Sequence, residues 1–309
     1  MRPRSEGISL ANLLEKLPGF RFDTLTVAGI DNSRAVERFG PGVREQEICL
    51  FHEGTASGDG YMKMLGEQVL CGMRERRGMP VVRFADGEYA FYRDSLRCNG
   101  LYEQAESVDA IRKAIPVHVE DLRYVAETGL LAPLVFPGNV APKRASFPRF
   151  WKSVGDDGGA RFLRFLREKG VRLTGTNYVP FYVVYAYLTS RAFAAAVDGR
   201  KLCILNSDID VPSCSAWFAA LSSRPVLTPV PIPSSYVATR WDEMREEVLR
   251  AVPADADLCL VGAGVGALRV CADIGRRLSI PALDAGHALN MMNDMERKSD
   301  GARLFTDHR

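Results

Sequence analysis

The sequence contains no CxxC pair, no uncharged apolar run of about 18 residues, no internal repeat and no low-complexity tract. The first absence argues against a cysteine-held zinc, which needs closely spaced thiolates. The second leaves no candidate transmembrane helix. Charge of one sign is also lacking: 40 basic and 38 acidic residues leave a formal +2. No global field therefore draws the chain to nucleic acid or to a membrane surface, and an anionic ligand must be held by a local site. The N-terminus, Met1 to Glu6, is basic but leads into the mixed stretch Ile8 to Leu17 rather than an apolar core, so no secretion signal is read there and a cytoplasmic location is expected. Seven cysteines, odd in number and mostly set in apolar runs such as Leu258-Cys259-Leu260, read as reduced core thiols.

What is present is a globular composition, 47% hydrophobic and 25% charged over 309 residues. Residues 1 to 57 carry no clear chemical motif and read as an N-terminal extension; residues 58 to 309 read as the main domain. From Tyr61 to Arg77 the apolar positions Met64, Leu65, Val69, Leu70 and Met73 recur at helical spacing, and Gly78-Met79-Pro80 stops them. Pro80 to Phe84 is a β-type run ending at Ala85-Asp86-Gly87-Glu88, before the apolar Tyr89 to Tyr92. Farther on the pattern predicts a helix at Ala160 to Lys169, a strand starting at Arg172 to Thr174, and one buried aromatic helix from Val179 to Val197. Strands follow at Lys201 to Leu205 and Val226 to Ile232, then a helix at Arg240 to Val252. The chain closes with a strand at Leu258 to Val261, a helix at Ala267 to Leu278 and a strand at Ile280 to Leu283. Strands alternating with helices predict a Rossmann-like, doubly wound, mostly parallel α/β sheet.

Ligands of such sheets bind at the carboxyl ends of the strands. Asp86 and Glu88 occupy that position after one strand, with hard oxygen ligands of the kind a divalent cation takes when it neutralises a diphosphate. Gly87 would permit an unusual backbone angle or close approach of a ligand, and Arg83 would orient a carboxylate or contact phosphate. An Asp-Gly turn capping the next helix, with Glu88 in its first turn, has the same spacing. At the other end, Gly262, Gly264 and Gly266 follow an apolar strand and open a helix, whose amides suit a phosphate, and Asp284 ends the next strand. That pattern also fits a dinucleotide- or S-adenosylmethionine-binding oxidoreductase or methyltransferase, although the spacing is GxGxG rather than GxGxxG. His287, in Asp284-Ala285-Gly286-His287, lies on the same edge as a candidate metal or phosphate contact; His52, His118 and His308 have no comparable setting.

Weaker signals accompany these. Tyr102-Glu103-Gln104 and Trp151-Lys152 suit a sugar pocket or plain packing. Lys143-Arg144, Arg149 and Lys152 suit phosphate or solvent. Asn206-Ser207-Asp208-Ile209-Asp210 has a DxD spacing that rivals Asp86 and Glu88, and Asp208, Asp210 and Glu103 are candidates for a general base by position alone.

Taken together, the pieces resemble the GT-D type glycosyltransferases, a bacterial family first described as a domain of unknown function, with a strand-borne Arg-Phe-Gly-Asp-Gly-Glu motif. Here the motif is Arg83-Phe84-Ala85-Asp86-Gly87-Glu88, with Ala85 in place of the usual glycine. The family's carboxyl end, a strand, a glycine-containing turn, a helix and a strand closing in Asp-x-Gly-His, is similar to Leu258–Leu278 followed by Asp284–His287, though Gly262-Ala263-Gly264-Val265-Gly266 is richer in glycine. The resemblance spans about residues 62 to 295. It implies a Rossmann-like domain that transfers a hexose from a nucleotide-sugar, a UDP-sugar, to a glycan, glycoprotein or glycolipid acceptor. It further implies Mn²⁺ or Mg²⁺ near Asp86, Glu88 and His287; that no nucleic acid partner is expected follows from the balanced charge.

Overall fold

The computed structural model describes residues 22–25, 48–51, 58–96, 104–135, 158–173 and 176–293. Near the N-terminus, β1 (Phe22–Leu25) and β2 (Ile48–Phe51) pair antiparallel as a two-stranded sheet of their own. Helix α1 (Gly58–Glu75) follows, with Tyr61, Leu65, Val69 and Met73 buried in one stripe at four-residue spacing. It ends where Arg76 turns left-handed (φ 48°), and the chain enters β3 (Pro80–Phe84), buried along its whole length.

After β3 come α2 (Asp86–Phe91), α3 (Val108–Thr128), β4 (Leu130–Pro133), α4 (Gly158–Glu168), α5 (Phe181–Leu188), α6 (Arg191–Val197), β5 (Lys201–Asn206) and α7 (Val211–Ala220). The chain continues through β6 (Val226–Pro231), α8 (Val237–Ala251), β7 (Leu258–Gly262), a 3₁₀ turn at Gly264–Gly266, α9 (Ala267–Leu278), β8 (Ala282–Asp284) and α10 (His287–Met292). Strands β3 to β8 form one parallel six-stranded sheet in the order β4-β3-β8-β7-β5-β6. Helices α3, α8 and α9 pack together against it, and α1, α5 and α6 form a second group. Covered in this way, β3, β4 and β8 are buried end to end, and apart from Arg83 in β3 and Asp284 in β8 their residues are apolar. The expected Rossmann-like α/β architecture is the one observed. Because every strand is parallel, all six carboxyl ends lie on one edge, and residues far apart in sequence meet there.

Several local expectations need correction. The single helix expected at Val179 to Val197 is two, α5 and α6. Thr189 Oγ1 donates to Tyr185 O and Ser190 Oγ to Tyr187 O, closing α5, while Ser190 Oγ accepts the Phe193 N–H and starts α6. No strand forms at Val171–Leu173, where one was expected to begin at Arg172. Helix α3, the longest described, has no apolar stripe clean enough to read, because His118 and Asp121 sit in its buried face and Pro116 interrupts its interior. No helix among the described residues is long and apolar enough to cross a membrane. Among the described residues Cys203, Cys214, Cys259 and Cys271 are buried free thiols, as expected for core cysteines, whereas Cys71 is a free thiol only partly buried.

The entry into β4 sets a steric limit. A Cβ added to Gly129 would lie 1.9 Å from the carbonyl oxygen of Pro80, a backbone atom of the neighbouring strand's start that has no rotamer to yield. We expect Gly129→Ala to lower the unfolding free energy by about 1–3 kcal/mol in urea denaturation, as for other overpacked cores. A wild-type midpoint would contradict this close approach of α3's end to β3.

Candidate functional site

Strand β3 delivers its last residue, Phe84, to the sheet edge, and Ala85 (φ −138°, ψ −155°) is the N-cap of α2. Glu88 Oε2 accepts the Ala85 N–H at 2.7 Å, one half of a capping box; alanine has no side-chain acceptor to supply the other half. Asp86, the first helical residue, is exposed, and Glu88 is half-buried. Two residues apart on a helix, the carboxylates point roughly 200° around its axis from one another. The acidic turn expected from sequence is thus a helix start, and its two carboxylates are not a ready-made chelate. Gly87 is also helical rather than left-handed, and a Cβ there would meet nothing nearer than Val265 Cγ2 at 3.9 Å. Its glycine is not needed for an unusual backbone angle, contrary to the expectation. It leaves this face of α2 open.

Arg83 and Asp284 join the two ends of the chain. The Arg83 Nη2 donates to Asp284 Oδ1 at 2.7 Å, its Nε to the Asp284 carbonyl at 2.9 Å, and its backbone N–H to Asp284 Oδ2 at 3.2 Å. Both side chains are buried. The guanidinium carbon lies 4.1 Å from the Tyr185 ring centre and 5.1 Å from that of Phe181, so two aromatic faces of α5 attract the cation from the side Asp284 leaves open. Gly286 has φ +42°, and a Cβ on it would lie 2.0 Å from Arg83 Nη2. Glycine is required there both for backbone angle and for room. Of the two roles expected for Arg83, orienting a carboxylate is the one its bonds fulfil, and Asp284 has both carboxylate oxygens engaged.

Burial pushes the Glu88 carboxyl up to about 7; the negative Asp284 adds to the rise, and the Ala85 N–H and Arg83 oppose it. Burial likewise raises Asp284, with Arg83 opposing. For Arg83, burial disfavours the charge, but Asp284 outweighs it and holds the guanidinium cationic.

The glycine turn contacts α2 and the start of α8. Its glycines make room for other parts of this protein. A Cβ on Gly262 would lie 2.2 Å from Asn206 Nδ2, one on Gly266 2.6 Å from Val237 Cγ1, and one on Gly264 (φ +53°) 2.6 Å from Gln104 Oε1. The Val265 N–H, the amide a phosphate would seek, donates instead to Gln104 Oε1 at 2.8 Å. The Val265 N–H and the Asp284 carboxylate, one from each half of the dinucleotide pattern, are thus both engaged within the protein. The rival Asn206–Asp210 segment is bonded into its surroundings. Asn206 Oδ1 accepts the Asp208 N–H at 3.0 Å, Asn293 bridges Asp208 O and the Asp210 N–H, and Ser213 Oγ donates to Asp210 Oδ2 at 2.6 Å. Asp208 and Asp210 remain exposed on the shared edge. Among the described residues no group of three or more His, Cys, Asp or Glu gathers closely enough to hold a metal.

His287 opens α10 on this edge, directly after Gly286. Tyr102, Glu103, Lys143, Arg144, Arg149, Trp151, Lys152, His52 and His308 lie outside the described residues. His118, given no role from sequence, is fully buried. Its Nε2 donates to the Ala238 carbonyl at 2.8 Å and its Nδ1 accepts from Tyr92 Oη at 3.1 Å, because a carbonyl can only accept. Burial lowers this imidazole to about 4, so it stays neutral. The Phe91 ring stacks on it at 4.9 Å, and it bolts the end of α2 to α3 and α8. No periodic signal marks such a residue in the sequence.

No protein-family profile matches the chain, and no curated protein matches it. Among solved structures it is similar to one described as the highly conserved domain of unknown function 1792, with a distinct glycosyltransferase fold. The two share 18% identity over 77% of this chain and 84% of that one, with a TM-score of 0.42. At that distance nothing about this chain's activity follows from the likeness.

The raised Glu88 carboxyl has a measurable consequence. Its folded value of about 7 lies above the ordinary 4.5, so the folded state holds the proton more tightly. The resulting stabilisation is full below about pH 4.5 and is lost as pH rises through about 7. We expect the stability of the wild type relative to Glu88→Gln to fall by up to about 3 kcal/mol between those limits. Urea denaturation of both proteins across pH checks this, and parallel curves would contradict it.

Proposed function

We propose that this chain is a metal-assisted glycosyltransferase that takes a hexose from a nucleotide-sugar, a UDP-sugar by the resemblance of its motifs, and passes it to a glycan, glycoprotein or glycolipid acceptor. One observation carries the reading. The Arg83–Glu88 and Asp284–His287 segments, which hold the two halves of the sequence resemblance, are brought to one sheet edge by a buried ion pair spanning 201 positions of sequence. Fold alone would not support an activity, but two matching motifs meeting at a ligand-binding edge do.

The residues fit a divalent cation of one particular kind. Asp86 and Glu88 offer hard oxygens, yet no described cluster of three ligands is preformed. That suits Mg²⁺ or Mn²⁺ held by one or two carboxylates while the donor diphosphate and water complete its shell, rather than an ion caged by protein. His287, at the head of α10, is the third candidate. A cation bound there would neutralise the charge developing on the departing nucleoside diphosphate. The chain's own residues do the rest: Arg83 fixes Asp284 and hence the β8 turn that presents His287. Glu88 offers the cation an oxygen while its other bond, to the Ala85 N–H, ties it to the start of α2.

Thermal-shift measurements with UDP, GDP, UDP-glucose, NAD and S-adenosylmethionine, each with and without Mn²⁺ or Mg²⁺, test the reading. We expect stabilisation by a nucleoside diphosphate and metal together, on the order of 2–3 kcal/mol at a hundredfold excess over Kd, and little from metal alone. Glu88→Gln should lose this response and at least about a hundredfold in sugar transfer, with the fold intact. Stabilisation by NAD or S-adenosylmethionine without metal would overturn the proposal.

A further inference from the structure

The segment between α2 and α3 places a side chain close to the acidic start of α2, and it is held there from two directions. Glu106 pairs with Arg240 and accepts from Thr239 Oγ1 at 2.7 Å, both in the first turn of α8. Two residues earlier, Gln104 Oε1 accepts the Val265 N–H at 2.8 Å. Gly264, left-handed and without a Cβ, makes room for the Gln104 carboxamide. Val265 in turn is the side chain nearest to Gly87, between Asp86 and Glu88. Gln104 is thus one residue removed from the acidic start of α2.

This arrangement determines which way the carboxamide faces. A backbone N–H can only donate, so the carbonyl oxygen of Gln104 must face Val265 and the NH₂ group must face away from it. Among the described residues no acceptor is bonded to that NH₂ group, and the side chain is half-buried rather than extended into solvent. A donor whose orientation is fixed by the protein needs little reorganisation to meet a ligand oxygen. We infer that Gln104 is a donor-binding residue, whose NH₂ group hydrogen-bonds an oxygen of the nucleotide-sugar diphosphate. The inference rests on the glycosyltransferase reading and goes beyond it by giving the glycine turn a different part. The turn does not cradle phosphate through its own amide; it aims a glutamine that does the binding.

Gln104→Glu separates this role from a latch. A glutamate still accepts from Val265, so a structural latch survives, whereas the donor is lost and a negative charge faces the diphosphate. The unliganded melting temperature of Gln104→Glu should match or exceed that of wild type, while its affinity for UDP with Mg²⁺ falls about tenfold or more. Gln104→Met, neutral and of similar size, provides a second variant should the added charge disturb the fold, and should also weaken UDP binding. Calorimetric titration with UDP and with uridine, both with Mg²⁺, gives the readout. Wild-type UDP affinity in both variants overturns the inference and leaves the parent reading standing. An equal loss for uridine overturns the diphosphate contact. Failure of every nucleoside diphosphate to bind wild type overturns the parent reading, and this one with it.

Discussion

The buried ion pair of Arg83 and Asp284 is the constraint on which the rest of this edge depends. Taking both charges out of water costs several kcal/mol each, and their attraction recovers that only with good geometry and further hydrogen bonds. Here Asp284 receives three donors from one residue, and Arg83 has aromatic faces of α5 beside it. The pair fixes the relative position of the β3 and β8 ends, which touch through only a short register, Pro80 with Ala282 and Val81 with Leu283. Gly286, Tyr185 and Phe181 are explained by it, since each makes room for or faces the guanidinium. Whatever binds at Glu88 or at the head of α10 is positioned through this contact.

A second charged layer lies behind the first. Asp121 of α3 receives Arg276 Nη1 at 2.7 Å, and Arg269 Nε lies 2.9 Å from its other oxygen, outside hydrogen-bond direction. Asp273 accepts from Trp241 Nε1 at 2.7 Å, and Arg269 also reaches Asp242 of α8. Burial pushes the Asp121 carboxyl up to about 6, against the arginines. These contacts hold α3, α8 and α9 together, and with His118 they set the spacing between α2 and the glycine turn.

Much of the sheet was legible in the sequence because parallel strands are buried on both faces and stand out as short apolar runs. Pro80–Phe84, Lys201–Asn206 and Leu258–Gly262 are such runs, and helix α9 starts and stops where its pattern does. Helix α3 was not legible, because its buried stripe is partly ionic and imidazole rather than apolar. The break between α5 and α6 depends on two hydroxyls bonding back to the helix, which aromatic periodicity conceals. At the candidate site the sequence located Arg83, Asp86, Glu88 and Asp284 on one edge, but not their relations. The carboxylates diverge on a helix, Asp284 belongs to Arg83, and the glycines admit Asn206, Gln104 and Val237. The last two are long-range contacts, absent from any local spacing, and the helix start was one of two readings that the Asp-Gly spacing left open.

A double-mutant cycle on Arg83→Gln and Asp284→Asn, read by urea denaturation and by the thermal response to nucleoside diphosphate with metal, shows whether this pair anchors the edge. Each single change is expected to cost about 3–5 kcal/mol and to remove the nucleotide response, and the double variant to be no less stable than the worse single one. Additive stability losses with the nucleotide response retained would contradict it: the pair would then be neither a coupled unit nor the anchor of the site.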